Sequence, residues 1–276
     1  MNAAAPAAAP RLALPRLSPA RLVIALACAV AAAFVAIPLI VLVTHTSPGA
    51  LASALRDPVV LDALRVSLVT TAISLLLVVA VGTPLAVALA RGRFPGRALL
   101  DALVGLPLVL PPVVAGLALL LAFSPSGPLG QALQPLGVRV PLTESAVVLS
   151  QVFVAGPFYV YALTAGLSGV DRGVEEVART LRASPWHVFR TVTLPLVRPA
   201  VAYGLVLSGA RALGEFGATI TVAGNLQGRT QTMPTAIYVA FERDPDGAIA
   251  LAVILAVVSF ALLLGVRGLR LARAAV

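Results

Sequence analysis

Long apolar runs separated by short charged stretches set the pattern of this chain. Five runs, 22–44, 66–90, 102–123, 145–170 and 247–266, contain no Asp, Glu, Lys or Arg. At about 1.5 Å of rise per residue, each is long enough to cross a hydrocarbon core about 30 Å thick. A sixth run, 199–224, is equally apolar except for Arg211 and Glu215. The pattern predicts an all-α, polytopic membrane protein with six transmembrane helices. Pro38, Pro84, Pro107, Pro111, Pro112 and Pro157 lie inside these runs. Each removes a helical hydrogen bond, and in a bilayer the freed carbonyl needs a protein or water partner. The stretch 106–114, LPLVLPPVV, is therefore not expected to be a straight helix. A pore-adjacent element and a plain structural kink fit it equally.

Between the fourth and fifth runs the pattern changes. Residues 174–195, VEEVARTLRASPWHVFRTVTLP, form a charged island. Val174, Val177, Ala178 and Leu181 fall at i, i+3, i+4 and i+7, which is one apolar face of a helix, while Glu175, Glu176 and Arg179 decorate the others. Ser184-Pro185 then reads as a helix start, a capping hydroxyl followed by proline in the first turn. Trp186, Phe189, Val192 and Leu196 line a second apolar face. The prediction is a two-helix loop over 171–198. Periodicity alone fits both a projecting bracket and a helix lying on the membrane surface.

The composition, 59% hydrophobic and 11% charged with mean hydropathy +1.00, lies far outside the soluble range. All of the basic charge is arginine. With the N-terminus in the cytoplasm, fourteen arginines fall inside, five outside (Arg56, Arg65, Arg139, Arg229 and Arg243), and Arg211 within a helix. This bias puts both termini of a multi-pass cell-membrane protein in the cytoplasm. Net charge +9 then reflects topology and contact with anionic lipid, and gives no indication of nucleic acid. Residues 1–20, rich in Ala and Pro, are expected to be a disordered cytoplasmic segment, with 21–276 forming the transmembrane domain. The first run exceeds a signal-peptide core in length and is read as a retained span. The single cysteine, Cys28, excludes a disulfide framework, and neither His45 nor His187 has a second ligand at metal spacing. Glu175 and Glu176 are adjacent on a helix and point to different faces, so they are not an acid–base pair.

Glu176-Val177-Ala178, Arg182 four residues on, and Val192-Thr193-Leu194-Pro195 keep the spacing of a known motif. They resemble the EAA loop of bacterial ABC importer permeases: EAA, three residues, Gly, nine residues, Ile, one residue, Leu-Pro. Val177 replaces the second residue, Val192 the Ile and, most notably, Arg182 the Gly. The resemblance implies that Glu175, Glu176, Val177, Ala178, Arg182, Ser184, Pro185, Val192, Leu194 and Pro195 couple the chain to an ATPase subunit. A glycine bends freely where an arginine does not, so the departure at Arg182 bears on the bend or on an ATPase contact. Residues 106–130, 209–225 (GARALGEFGATITVAGN) and 230–238 (TQTMPTAIY) resemble the molybdate branch of these permeases. That branch also includes tungstate and sulfate/thiosulfate permeases. The resemblance implies a homodimer of this chain with two ATP-binding subunits and an extracytoplasmic molybdate-binding protein. No GxxxxGK[ST] run occurs, so ATP and Mg are expected on the partner ATPase, with no cofactor on this chain and no enzymatic role for it.

Arg211 and Glu215 are ionisable residues inside a predicted span, four apart and able to meet on one helix face. They are candidate pathway residues. A paired charge that fixes bundle register is the competing reading. At the level of function, a sulfate/thiosulfate or tungstate permease is the near alternative. An ATP-independent secondary transporter or channel is the alternative of another class.

Overall fold

The computed structural model describes residues 19–180 and 182–274, with the backbone alone for Pro19, Arg179 and residues 265–274. Residues 1–18 of the segment expected to be disordered, and Leu181 of the first apolar face, lie outside the described residues. Among the described residues every regular element is helical. The chain divides into two units at His45 and Thr46. The first holds α1 (Pro19–Thr44), a 26-residue helix containing Pro38 and exposing apolar side chains all round its circumference.

The second unit contains the remaining helices. In chain order these are α2 (Pro48–Ala54), α3 (Pro58–Arg91), α4 (Arg97–Val109), α5 (Pro112–Phe123), α6 (Pro128–Leu133) and α7 (Glu144–Ser168). There follow α8 (Arg172–Thr180), α9 (Pro185–Val188), α10 (Leu194–Leu213), α11 (Gly217–Ala223), α12 (Met233–Arg243) and α13 (Pro245–Ala274). Proline opens many of them, because its fixed φ suits the first turn and its missing N–H is not needed there. Ser47 and Asp57 complete two of these starts, accepting from the amides of Ala50 and Val59.

Three long helices form the centre. α3 and α7 run parallel: Ser74 donates to Gln151, Thr83 bonds Tyr159, and Thr164 donates to the Ala86 carbonyl, at nearly constant separations of 77, 76 and 78 residues. α10 runs antiparallel to α7, with Gln151 Nε2 donating to the Ala212 carbonyl and Ser208 to that of Ala155. Gln151, buried between them, also reaches Thr71, so one amide ties three helices. Hydrogen-bonded hydroxyls inside a membrane bundle avoid the penalty of a polar group facing lipid. Around these bonds pack Val78, Ala86, Leu89, Tyr159, Leu163 and Val197.

Five helical stretches are long and apolar enough to cross a membrane: Ala20–Thr44, Pro58–Arg91, Glu144–Ser168, Pro185–Leu213 and Pro245–Leu264. The expected span at 102–123 is not one helix. α4 and α5 meet at a bend of 118°, and they make a sixth crossing only when taken together. Leu110 precedes a proline and is driven into extended geometry, while Pro111 and Pro112 cannot donate, so α4 stops and α5 starts afresh. The expected span at 199–224 is also divided. α10 ends at Leu213, and Gly214, Glu215 and Phe216 turn the chain before α11. α5 and α11 cross closely at Gly116, where a Cβ would lie 2.8 Å from Ala218 Cα, and at Gly217, where it would lie 2.9 Å from Pro112 Cβ.

Candidate functional site: the bracket and the break in the fifth crossing

The bracket joins α7 to α10. Asp171 Oδ1 accepts from the Gly173 amide and starts α8. On α8 the two adjacent glutamates part company. Glu175 is 9% exposed, whereas Glu176 is on the surface with Val174 and with Val177, which is 64% exposed. Ala178 is half-buried. The chain then bends at Arg182, whose φ is +59°, the left-handed region that an L-residue occupies at a cost of about 1–2 kcal/mol. The bend expected of a glycine is therefore kept with an arginine in its place. An Arg182→Gly variant is expected to stabilise the closed bracket by about 1 kcal/mol. Amide exchange over residues 172–188 then slows about fivefold; unchanged or faster exchange would show that the bend carries no strain.

Ser184 caps α9, its Oγ accepting from the His187 amide at 3.2 Å, with Pro185 in the first turn. Trp186 stacks on Phe189 with ring centres 5.8 Å apart and is itself 68% exposed, while Val188 is buried. The second arm is not a separate short helix. α9 continues through a π-turn, Phe189–Thr193, straight into α10. The extra residue of that turn breaks the 3.6-residue period, so the face read as Trp186, Phe189, Val192 and Leu196 is not uniform. Trp186 and Leu196 are exposed; Phe189 and Val192 are half-buried, as are Leu194 and Pro195. Between the arms lies an open groove of about 540 Å³, lined by Ala178, Arg182, Ser184, His187, Thr191 and Val192 among others.

Two residues that the coupling set does not include, Arg91 and Thr193, hold the bracket to the bundle through Glu175. Glu175 Oε1 accepts from Arg91 Nη2 at 2.9 Å and from Thr193 Oγ1 at 2.8 Å. Arg91 is legible in the sequence only as a topology charge, and Thr193 only as a spacer in the motif.

Arg211 and Glu215 do meet, Nη1 to Oε2 at 2.6 Å, but across the end of α10 rather than within one helix. Glu215 is 1% exposed, and its Oε1 accepts from the Ala218 amide at 2.7 Å, so it also starts α11. A buried carboxylate with two such partners avoids most of its desolvation penalty. Arg211 is partly exposed beside it. Phe216 and Tyr238 pack next to this break with ring centres 5.1 Å apart.

Comparison with known proteins agrees with this architecture. Residues 82–272 match the family described as binding-protein-dependent transport system inner membrane components. A Mycobacterium bovis protein named molybdenum transport system permease protein ModB is 44% identical over 235 residues, covering 84% of this chain and 88% of the relative. The chloroplastic sulfate permease 2 of Chlamydomonas reinhardtii is 40% identical over 200 residues, covering 72% of this chain and 54% of that one. Among solved structures, a bacterial ABC transporter that imports the acidic polysaccharide alginate aligns with TM-score 0.71 at 20% identity, over 90% of this chain and 93% of that one.

Proposed function

The chain belongs to the family of binding-protein-dependent transport system inner membrane components, and from that premise we propose that it imports molybdate as the membrane-spanning subunit of an ATP-driven complex. The observation that carries the choice of anion is the long, 44% identical match to a molybdenum permease. In this reading two copies of the chain flank one pathway in the cell membrane, with both termini and the brackets on the cytoplasmic side. Two ATP-binding subunits, which hold ATP and Mg, dock on the brackets. Val174, Val177 and Trp186 supply exposed apolar contact, and Glu176 and Arg182 orient it.

An extracytoplasmic binding protein delivers the anion at the opposite end of the bundle. Arg211, partly exposed at the break in the fifth crossing, offers the anion a positive charge. Glu215, 2.6 Å away, cancels much of that charge at longer range, so binding stays weak enough for release. Closure of the ATPases on ATP draws the brackets together, and the attached spans reorient the pathway between its two openings.

A sulfate permease is the second reading, favoured by the 40% identity to the chloroplastic protein. Uptake of labelled molybdate, in cells that depend on this chain, separates the two. Unlabelled molybdate is expected to abolish the signal and sulfate to leave it in place even in large excess. Full competition by an equal concentration of sulfate, or uptake of labelled sulfate with none of labelled molybdate, would overturn the choice. Anion transport by the purified chain alone, without ATP, would overturn the importer reading itself.

A further inference from the structure

We propose that Glu175 is a positioning residue that clamps the docking bracket to two membrane spans at once, so that any displacement of α8 is delivered to α3 and α10 together. The proposal rests on the importer reading above and deepens it. Glu175 lies on the side of α8 that faces the bundle. Its neighbours Val174, Glu176 and Val177 are exposed while it is buried, so its carboxylate is not available to a docking partner.

A single oxygen, Oε1, takes both bonds. Arg91, which donates at 2.9 Å, is the last residue of α3, 84 positions earlier in the chain. Thr193, which donates at 2.8 Å, is the last residue of the π-turn and leads into α10. Both side chains of the ion pair are largely shielded, at 19% and 11% exposure, so the pair is screened less than a surface pair. The α3 end is itself braced, because Arg97 Nε donates to the Leu89 carbonyl across the turn at 92–96. Force applied to Arg91 is therefore not dissipated by fraying of the last helical turn.

Beyond the clamp, α3 and α10 both lie against α7, through Thr83–Tyr159 and Ser208–Ala155. Moving their bracket ends together shifts two neighbours of one helix, a rigid-body change and not a local one. The π-turn adds a second element. Such turns hold one residue in excess and recur at functional sites in helices. Here the turn places Thr193, and not Val192 of the motif, against the carboxylate.

The test uses the whole complex in proteoliposomes: this chain, its ATP-binding partner and the anion-loaded binding protein. Anion uptake per ATP hydrolysed is measured, together with the stimulation of hydrolysis by the loaded binding protein. Glu175→Gln keeps the shape and acceptor but loses the charge. It is expected to assemble and to lose at least tenfold in uptake per ATP, with stimulation largely gone. Thr193→Val, which removes one bond and no charge, is expected to lose about threefold. The exchange Arg91→Glu with Glu175→Arg is expected to recover part of what either single change removes.

Uptake per ATP at the wild-type ratio in Glu175→Gln would overturn the proposal. So would failure of Glu175→Gln to assemble combined with wild-type coupling in Thr193→Val, since the contact would then be merely structural. Absence of ATP-dependent uptake in the unmodified complex would instead overturn the importer reading, and the clamp with it.

Discussion

Replacing Trp186 with aspartate is expected to weaken association of the ATP-binding partner by a hundredfold or more while leaving the chain inserted and folded. Trp186 is 68% exposed and touches Phe189 of its own chain, so its loss removes little internal packing. Tryptophans central to an interface commonly account for 2 kcal/mol or more, and a charge buried in the same place adds a desolvation penalty. About 3 kcal/mol corresponds to roughly two decades in Kd. Ala178→Asp, at the lip of the groove, is expected to act the same way. Titration of the purified partner against both variants in detergent checks this. Undiminished binding would move the dock away from the bracket.

The largest effect on the bundle itself is expected from Gly204→Leu. α10 crosses α7 at this glycine. A Cβ there would lie 3.0 Å from Tyr159 Cδ2 and 3.2 Å from both Ala162 Cβ and Tyr159 Cα. The last of these is backbone and cannot rotate away. A leucine therefore forces the two helices apart and opens the contacts of Tyr159 and Leu163. Overpacking of this kind costs about 3 kcal/mol, and more where backbone must move. The thermal transition of the purified chain is expected to fall by roughly 6–12 °C, given about 2–4 °C per kcal/mol for a chain of this size. Gly156→Ala is the control: its Cβ would stand 3.9 Å from Val78 Cγ2, an ordinary contact, and it should leave the transition in place. Equal shifts in the two variants would show that space at Gly204 is not the reason for its glycine.

Which parts of this architecture the sequence discloses follows from what each signal measures. Uncharged length measures membrane crossing, so the long helices are plain. Ser184-Pro185 measures helix initiation, and the cap is found there. The proline pair at Pro111 and Pro112 forbids a straight helix but does not give an angle, so a bend of 118° is not readable. The break at Gly214 is hidden because GARALGEFGATI is compatible with helix throughout. What ends α10 is the Glu215 carboxylate taking the Ala218 amide, a local hydrogen bond that competes with the helical one. Spacing identifies Glu176 by its place in a motif, whereas burial selects Glu175. The two differ by about 100° around the helix, a distinction that depends on the neighbouring spans. The π-turn shifts every later position by one residue, and the two apolar arms read at a 3.6-residue period miss it. At Arg182 the motif expects a residue free to bend, and the structure supplies the bend at positive φ instead.

The parallel pairing of α3 with α7 also governs how the protein is made. Ser74 finds its acceptor, Gln151, 77 residues further along the chain. At a synthesis rate of about 5–20 residues per second, α3 waits roughly 4–15 seconds in the translocation machinery or in lipid before that acceptor exists. Thr70 is self-sufficient during the wait, because its hydroxyl bonds the Val66 carbonyl one turn back. Ser74 in the finished protein bonds only α7, at Val148 and Gln151, so it must borrow an acceptor from its own helix until α7 is inserted. The nascent chain thus carries, at the centre of α3, a hydroxyl still without its final partner, where an insertase that shelters hydroxyls would matter.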